Sequence, residues 1–226
     1  MPVSLFDLDG TLIDSSIPIR RSMNIALEEL GLGPMTDLEL HRHIGPPLSW
    51  SVSRLLEERG FSTALAPRVI ATYRADYVQS SIENAVTYPG IPDMLNRVGA
   101  VHPIGVVTSK PLTFSGPILD VLGLSARLAV IEAPDISEAE DKEVTLGKAL
   151  EKLAVAPSEA IMIGDRSFDI FAARAVGTVG IGVTWGFGTR RELDEAGADR
   201  IVDSVEELSS LLTRWPTSFR DNPSRH

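Results

Sequence analysis

Apolar residues along this chain fall into two kinds of pattern. In the second half they form short uninterrupted runs that end in turn-forming or polar residues: HPIGVVTS near 102–109, LAVIEAP near 128–134, AIMIGD at 160–165 and TVGIGVTWG at 178–186. Runs of this length, apolar on both faces, read as buried strands. Between them the apolar positions take helical spacing, as in Val144, Leu146, Ala149, Leu150 and Leu153 after Lys142, and Ile170, Ala173 and Val176 after Asp169. Ser204, with Glu207 three residues on, signals the start of a closing helix whose stripe is Val205, Leu208, Leu211 and Leu212. Strand then helix, repeated, predicts a parallel α/β sheet.

The first strand, at about 2–7, does not lead into that alternation. Residues 15–84 carry only helical signals: a stripe of Ile19, Met23, Ala26, Leu27 and Leu30, a second of Val52, Leu55 and Leu56, and a third of Val69, Ile70, Tyr73 and Tyr77 after Pro67. TYPGIPDML at 87–95 carries the chain back, with Pro89 and Gly90 at a turn and Ile91, Met94 and Leu95 on the next helix. The expected organisation is an α/β core from residues 1–14 and 85–214, a helical insertion at 15–84, and a loose tail over 215–226, where WPTSFRDNPSRH has two prolines and no periodicity.

Composition narrows the chemistry. The 226 residues are 43% hydrophobic and 23% charged, ordinary for a globular chain. There are no cysteines, which removes disulfides, zinc–thiolate sites and thiol nucleophiles. A net charge of -10 opposes general attraction to nucleic acid or anionic lipid. No run approaches a membrane span and no basic-then-apolar leader opens the chain, so a cytoplasmic location is the expectation.

Candidate chemistry gathers where strands end. LFDLDGTLIDSS at 5–16 puts Asp7 and Asp9 two positions apart, hence on one side of an extended segment, at the carboxyl end of the first strand. Parallel sheets bind ligands at that edge. A lone pair of this kind is also what a turn with solvated carboxylates looks like, so other strand ends must decide. They bring Thr108 and Ser109 after GVV, Lys142 at a helix start, and Asp165 with Asp169 after IMIG. Four carboxylates in one pocket repel, and a divalent cation relieves this; oxygen-only donors suggest Mg²⁺. The Thr108 hydroxyl and the Lys142 ammonium suit phosphate oxygens. Alternatives stand beside each: Lys142 as the first charge of a surface helix, Thr108 as a helix cap.

Other residues stay open at this level. His41 and His43 have no third ligand nearby, so two solvated histidines are expected, or else Arg42 or His43 reads a leaving group across the Gly45–Pro46 loop. Lys110 and Arg166 flank the motifs and serve either substrate or surface. WGFG at 185–188 is either a rim loop or a packing device.

FDLDGTLIDS, VVTSK, a lysine at 142 and IGDRSFDI together resemble the four ordered motifs of the haloacid dehalogenase superfamily, and the insertion is similar to its helical C1-type cap. VVTSKP, IGPPLS at 44–49 and GDRSFDIFAA further resemble its phosphoglycolate phosphatase and 5'-nucleotidase-like branch. The resemblance implies a Rossmann-like α/β core with an inserted α-helical cap. It also implies Asp7 as the nucleophile that becomes an aspartyl-phosphate, and Asp9 as acid in the first step and base in the second. Thr108, Ser109 and Lys142 would bind substrate. Mg²⁺ would be held by Asp7, the Asp9 carbonyl, Asp165, and Asp169 through water. With four aspartates ionised, Mg²⁺ and Lys142 leave the site negative, which favours a proton on Asp9. The expected partner is a small phosphorylated metabolite, with no nucleic acid polymer and no membrane, the chain being a monomer or homodimer. A phosphomutase, a carbon–halogen hydrolase, an inactive phosphate-binding protein and a phospho-acceptor regulatory module are the competing functions; the last normally carries its acceptor on a middle strand and has no such insertion.

Overall fold

The computed structural model describes residues 2–137 and 140–215. Strands β1 (Val3–Phe6), β2 (Ile104–Val107), β3 (Val130–Glu132), β4 (Ala160–Gly164), β5 (Val179–Val183) and β6 (Arg200–Val202) form one sheet in the order β3-β2-β1-β4-β5-β6. Every pairing is parallel. β1, β2, β4 and β5 are wholly buried because helices cover both faces, so their sequences are mostly apolar instead of alternating. β1 lies mid-sheet, and the strand order reverses between β1 and β4. This places a crevice at their carboxyl ends, the switch point where α/β sheets bind ligands.

The chain leaves the sheet after β1 and makes α1 (Ser16–Glu28), α2 (Asp37–His43), α3 (Leu48–Glu58) and α4 (Ala66–Glu83) before returning. These helices bury a cluster of their own that includes Met23, Leu27, Leu40, Leu55, Leu56, Val69 and Tyr77. Polar clamps fix their arrangement. The Ser22 hydroxyl of α1 donates to Asp76 of α4 at 2.7 Å. Arg59 donates to both oxygens of Glu39, each at 2.7 Å, and to the carbonyls of Gly33 and Pro34, tying the loop before α2 to the end of α3. The exit and re-entry segments run side by side, Asp14 N–H donating to Val86 O at 3.0 Å and Tyr88 N–H to Leu12 O at 3.1 Å.

The rest of the chain alternates as a doubly wound sheet should, through α5 (Ile91–Gly99), α6 (Leu112–Val121), α7 (Lys142–Leu153), α8 (Ser167–Val176), α9 (Arg190–Ala196) and α10 (Val205–Thr213). Period-two alternation sorts the two faces. Phe6, Ile104, Val106, Ile161 and Ile163 pack with residues of α5, α6 and α10. Val3, Leu5, Ala160 and Met162 pack with Leu146, Ala149 and Leu150 of α7 and Ala172 and Ala173 of α8.

Three local expectations are corrected. Val144 does not join the α7 stripe: it is 47% exposed, and Leu146, Ala149 and Leu150 carry the burial. Trp215 does not belong to a loose tail, since it packs into the core cluster with Leu208 and Leu212. The rest of the expected tail, 216–226, lies outside the described residues. Third, β6 and helices α2, α6 and α9 add to the elements read from the sequence. Among the described residues, no helix is long and apolar enough to cross a membrane.

Candidate active site

β1 ends at Phe6, and the alternation that faces Val3 and Leu5 toward α7 and α8 puts Asp7 on that same side. There it meets the first residues of both helices. Lys142, the first residue of α7, sets its ammonium 2.9 Å from Asp7 Oδ1 and against Asp169 Oδ1. Asp169, in the first turn of α8, accepts from the Arg166 backbone N–H at 3.0 Å. Asp165 follows β4 and turns its carboxylate inward. Oδ2 accepts from the backbone N–H groups of Phe187 at 2.7 Å and Gly188 at 3.4 Å, and Oδ1 from the Thr11 hydroxyl at 3.3 Å. Asp7, Asp165 and Asp169 each bring an oxygen within 4.8 Å of the others'. All three are buried.

Asp9 departs from the sequence reading. The backbone does not stay extended past Phe6: Thr11, Leu12 and Ile13 all turn back to donate to Leu8 O, at 3.3, 2.9 and 3.0 Å. Asp9 lines the same pocket as Asp7 but is not among the carboxylates that come within 4.8 Å of one another. The Asp9 carboxylate faces Lys110, with Nζ 3.0 Å from Oδ2. The same ammonium hydrogen-bonds the Tyr77 hydroxyl of α4 and lies 4.5 Å from that ring's centre. Three carboxylates gather where four were expected, and the fourth has its own cation. Lys110 is a cation that the charge expected from the sequence did not include.

Burial and mutual repulsion set the acidities. Burial lifts the Asp7 carboxyl, Lys142 opposes, and Asp169 and Asp9 add, with the net at about 7. Asp165 rises to about 8 through burial, then Asp169 and Asp7, against the Phe187 N–H bond. Burial alone would weaken Lys142 as a base, but Asp169 and Asp7 outweigh it and hold the ammonium charged. Two buried carboxyls that resist ionisation beside an acidic neighbour mark a place built for added positive charge.

The other expected site residues lie around this cluster. Thr108 is buried at the end of β2, and its hydroxyl accepts from the Lys110 N–H at 3.2 Å. It is not a helix cap, because α6 starts later with Pro111 at its cap position. Thr108 and Ser109 line one pocket together with Asp7, Asp9 and Lys110. His41 is exposed, its ring edge-on to Phe187 at 5.8 Å. His43 contradicts the solvated expectation: it is buried, lines the pocket, and sets Nε2 3.4 Å from Glu58. Arg42 is exposed and faces Glu58 at 3.9 Å. Lys142 is buried between two aspartates, so it is no surface charge.

Sequence reasoning missed what the flanking residues do. Arg166 reaches from the core to the insertion, donating to His41 O at 3.3 Å and to Ile44 O, while its Nε donates to Glu192 at 3.0 Å. WGFG is a rim loop and a packing device at once. Trp185 Nε1 donates to Thr11 O at 3.1 Å, and a Cβ at Gly188 would overlap the Asp165 carbonyl oxygen, so only glycine lets the loop's N–H groups reach the Asp165 carboxylate. The glycines on either side of Phe187 were the one signal of this in the sequence.

Comparison with known proteins identifies the family. The family model described as haloacid dehalogenase-like hydrolase matches residues 4–183. A protein named phosphoglycolate phosphatase from Chromobacterium violaceum is 31% identical over 92% of this chain and 94% of its own length. A 5'-nucleotidase of Pseudomonas aeruginosa is 33% identical over 85% and 86%. A crystal structure described as that of a predicted phosphatase from Clostridium acetobutylicum superposes with a TM-score of 0.84 at 35% identity, covering 93% of this chain and 97% of that one. With the ordered motifs, the sheet topology and the clustered aspartates on the same chain, this protein belongs to the haloacid dehalogenase-like hydrolase family.

Proposed function

We propose that this hydrolase is a Mg²⁺-dependent phosphatase of small phosphate monoesters, working through an aspartyl-phosphate at Asp7. The observation that carries the reading is the convergence of Asp7, Asp165 and Asp169 within 4.8 Å, closed at the back by Lys142 and open toward Thr108 and Ser109. The donor set fits the ion. It is oxygen-only and buried, and it holds more carboxylate than Lys142 can neutralise. The Asp7, Asp165 and Asp169 carboxylates and the Asp9 carbonyl would hold Mg²⁺. When bound, it neutralises carboxylates and phosphate oxygens so that an anionic nucleophile can approach a dianion.

The chain's own groups then have distinct tasks. Lys142 keeps one Asp7 oxygen oriented and leaves the other to attack phosphorus. As the Asp7–phosphorus bond forms, the ester oxygen–phosphorus bond breaks, and Asp9 gives its proton to the departing oxygen. Thr108 and Ser109 donate hydrogen bonds to the transferring phosphoryl group. Water then attacks phosphorus with Asp9 taking its proton, and the Asp7 carboxylate is restored with release of inorganic phosphate. Lys110 holds Asp9 at the pocket wall, so the carboxyl stays within reach of both oxygens in turn.

Residues 15–84 act as a cap over the core formed by 1–14 and 85–214. Contacts that support this cross the pocket's rim: Trp50 of α3 edge-on to Phe168 at 6.4 Å, His41 on Phe187, and Arg166 on the loop after α2. The cap excludes water while the first transfer takes place. The test is phosphate release from p-nitrophenyl phosphate with Mg²⁺, comparing wild type with Asp7→Asn. The amide keeps the shape but cannot attack phosphorus, so activity falls by orders of magnitude at unchanged far-UV circular dichroism. Acid-quenched wild type should carry the mass of one phosphoryl group on the peptide containing Asp7. Near-wild-type turnover in the variant would sink the nucleophile assignment.

A further inference from the structure

The pocket above Asp7 has two unlike halves. Its floor is the polar edge of the sheet: Asp7, Asp9, Thr108, Ser109 and Lys110. Its walls are apolar, built by Ile19 and Met23 of α1, Met35 of the following loop, Leu48 at the start of α3, Tyr73 of α4 and Phe114 of α6. Met23, Met35, Tyr73 and Phe114 are buried. Tyr73 stacks on Tyr77 at 4.9 Å and Phe114 stands edge-on to Tyr77 at 5.5 Å, so the wall is rigid aromatic surface.

The distribution of charge is as one-sided as that of apolar surface. Among the described residues that line the pocket, the basic side chains are Lys110 and His43. Lys110 is already matched by Asp9 at 3.0 Å and by the Tyr77 hydroxyl. His43 is buried, and burial lowers the basicity of its imidazole against the pull of Glu58, so it meets a ligand neutral. Its Nδ1 lacks a hydrogen-bond partner, while Nε2 faces Glu58 at 3.4 Å. The insertion thus offers the ester's organic part apolar contact, the hydroxyl residues Ser51, Tyr73 and Tyr77 and the His43 ring, and, among the described residues, no lysine or arginine to receive a carboxylate or a second phosphate. A charged group brought here would lose its water without gaining a counter-ion, a cost that an apolar group of equal size avoids.

We infer that the substrate is the phosphate monoester of an uncharged, compact and largely apolar alcohol, with its organic part seated among Ile19, Met35, Leu48, Tyr73 and Phe114. The inference rests on the phosphatase reading and names the substrate class of that same site. It sets this chain apart from relatives named for phosphoglycolate, whose organic part is a carboxylate.

Two esters of matched shape test it: isobutyl phosphate and 2-phosphoglycolate, which differ in the pocket by a dimethyl-substituted carbon against a carboxylate. Steady-state kcat/KM of the full chain with Mg²⁺ should favour isobutyl phosphate by at least about tenfold, the penalty for an unpaired charge in an apolar recess being larger than that. Equal values, or preference for 2-phosphoglycolate, with p-nitrophenyl phosphate still hydrolysed, would overturn the inference and leave the phosphatase reading intact. If no ester, p-nitrophenyl phosphate included, releases phosphate, both fall. A second measurement uses Ile19→Arg at a half-buried position of the wall. Supplying a cation there should move the ratio toward 2-phosphoglycolate by tenfold or more, and an unchanged ratio in the folded variant would show that the organic part does not sit in this recess.

Discussion

Asp165→Asn should make the metal-free protein more stable. In wild type the carboxyl is wholly buried and its acidity is shifted from 3.8 to about 8 by burial and by Asp169 and Asp7. At pH 7 the unfolded chain carries this group ionised, whereas the native state must bind a proton to it. The difference between pH 7 and the ordinary acidity is about three pK units, or about 4 kcal/mol at ~1.4 kcal/mol each, as an upper bound. With half of that relieved as the site relaxes and admits water, about 2 kcal/mol remains. An asparagine avoids the cost and keeps the bonds. Its amide oxygen takes the Phe187 and Gly188 N–H groups, and its NH₂ faces the Thr11 hydroxyl, which can turn to accept.

The sign of the pH dependence follows from the raised acidities. Between pH ~4 and ~8 the native state binds more protons than the unfolded chain, so wild-type stability in EDTA falls as pH rises through that window. The advantage of Asn at pH 5 is therefore about a third of its value at pH 7. Differential scanning fluorimetry in EDTA should show Asp165→Asn melting ~4–8 °C above wild type at pH 7 for a chain of this size, with the gap closing toward pH 5. Adding Mg²⁺ to a hundred times its dissociation constant stabilises wild type by about 2.7 kcal/mol and the variant by much less, reversing the order. A variant that melts below wild type in EDTA at pH 7, or an equal Mg²⁺ shift in both, would refute the placement of Asp165 among the crowded carboxylates.

Two more expectations concern residues away from phosphorus. Glu39 is drawn down from 4.5 to about 2, chiefly by its paired bonds from Arg59, so its contribution is full above pH ~4.5 and is lost as pH falls toward 2. Glu39→Gln should cost about 1–2 kcal/mol at pH 7, the solvent beside the clamp screening part of the shift, and flatten the acid limb of the unfolding curve, measured by urea titration at stepped pH; an acid limb identical to wild type would show that the clamp contributes nothing. Gly188→Ala forces the rim loop off the Asp165 carbonyl, and should lower stability by roughly 2 kcal/mol and phosphate release by tenfold or more. Wild-type melting and turnover in that variant would remove the structural reason given for the glycine.

How far the sequence could be read depended on whether a residue's task shows in its neighbours along the chain. Asp7, Thr108, Asp165 and Asp169 were legible because each follows an apolar strand run, and the sheet delivers strand ends to one edge. Lys142 was legible only as the start of a helical stripe after a loop. Pairings across the two layers were not: Lys110 with Asp9 and Tyr77, or Arg166 with the carbonyls of residues 41 and 44, join segments far apart in sequence, and periodicity carries no such information. The same limit hid β6, three residues with an exposed first position, and α6, whose stripe is interrupted by Pro117. α2 showed little pattern because its buried side are only Leu40 and His43, one of them polar. The burial of His43 was hidden for the same reason, since nothing local says that α3 packs against it.

The position of β1 at the centre of the sheet has a consequence in time. Its backbone pairs with residues 104–106 on one side and 160–163 on the other, so the strand bearing Asp7 waits for chain made much later. At synthesis rates of about 5–20 residues per second, roughly eight to thirty seconds separate the appearance of Asp7 from that of Asp165. The helical insertion emerges whole in that interval, with a hydrophobic cluster of its own drawn mostly from its helices, while the catalytic edge has no second wall. A ribosome-bound chain shorter than about 165 residues thus carries Asp7 and the whole insertion but neither Asp165 nor Asp169, and the carboxylate cluster cannot form. The cluster assembles in one late event, when β4 docks beside β1.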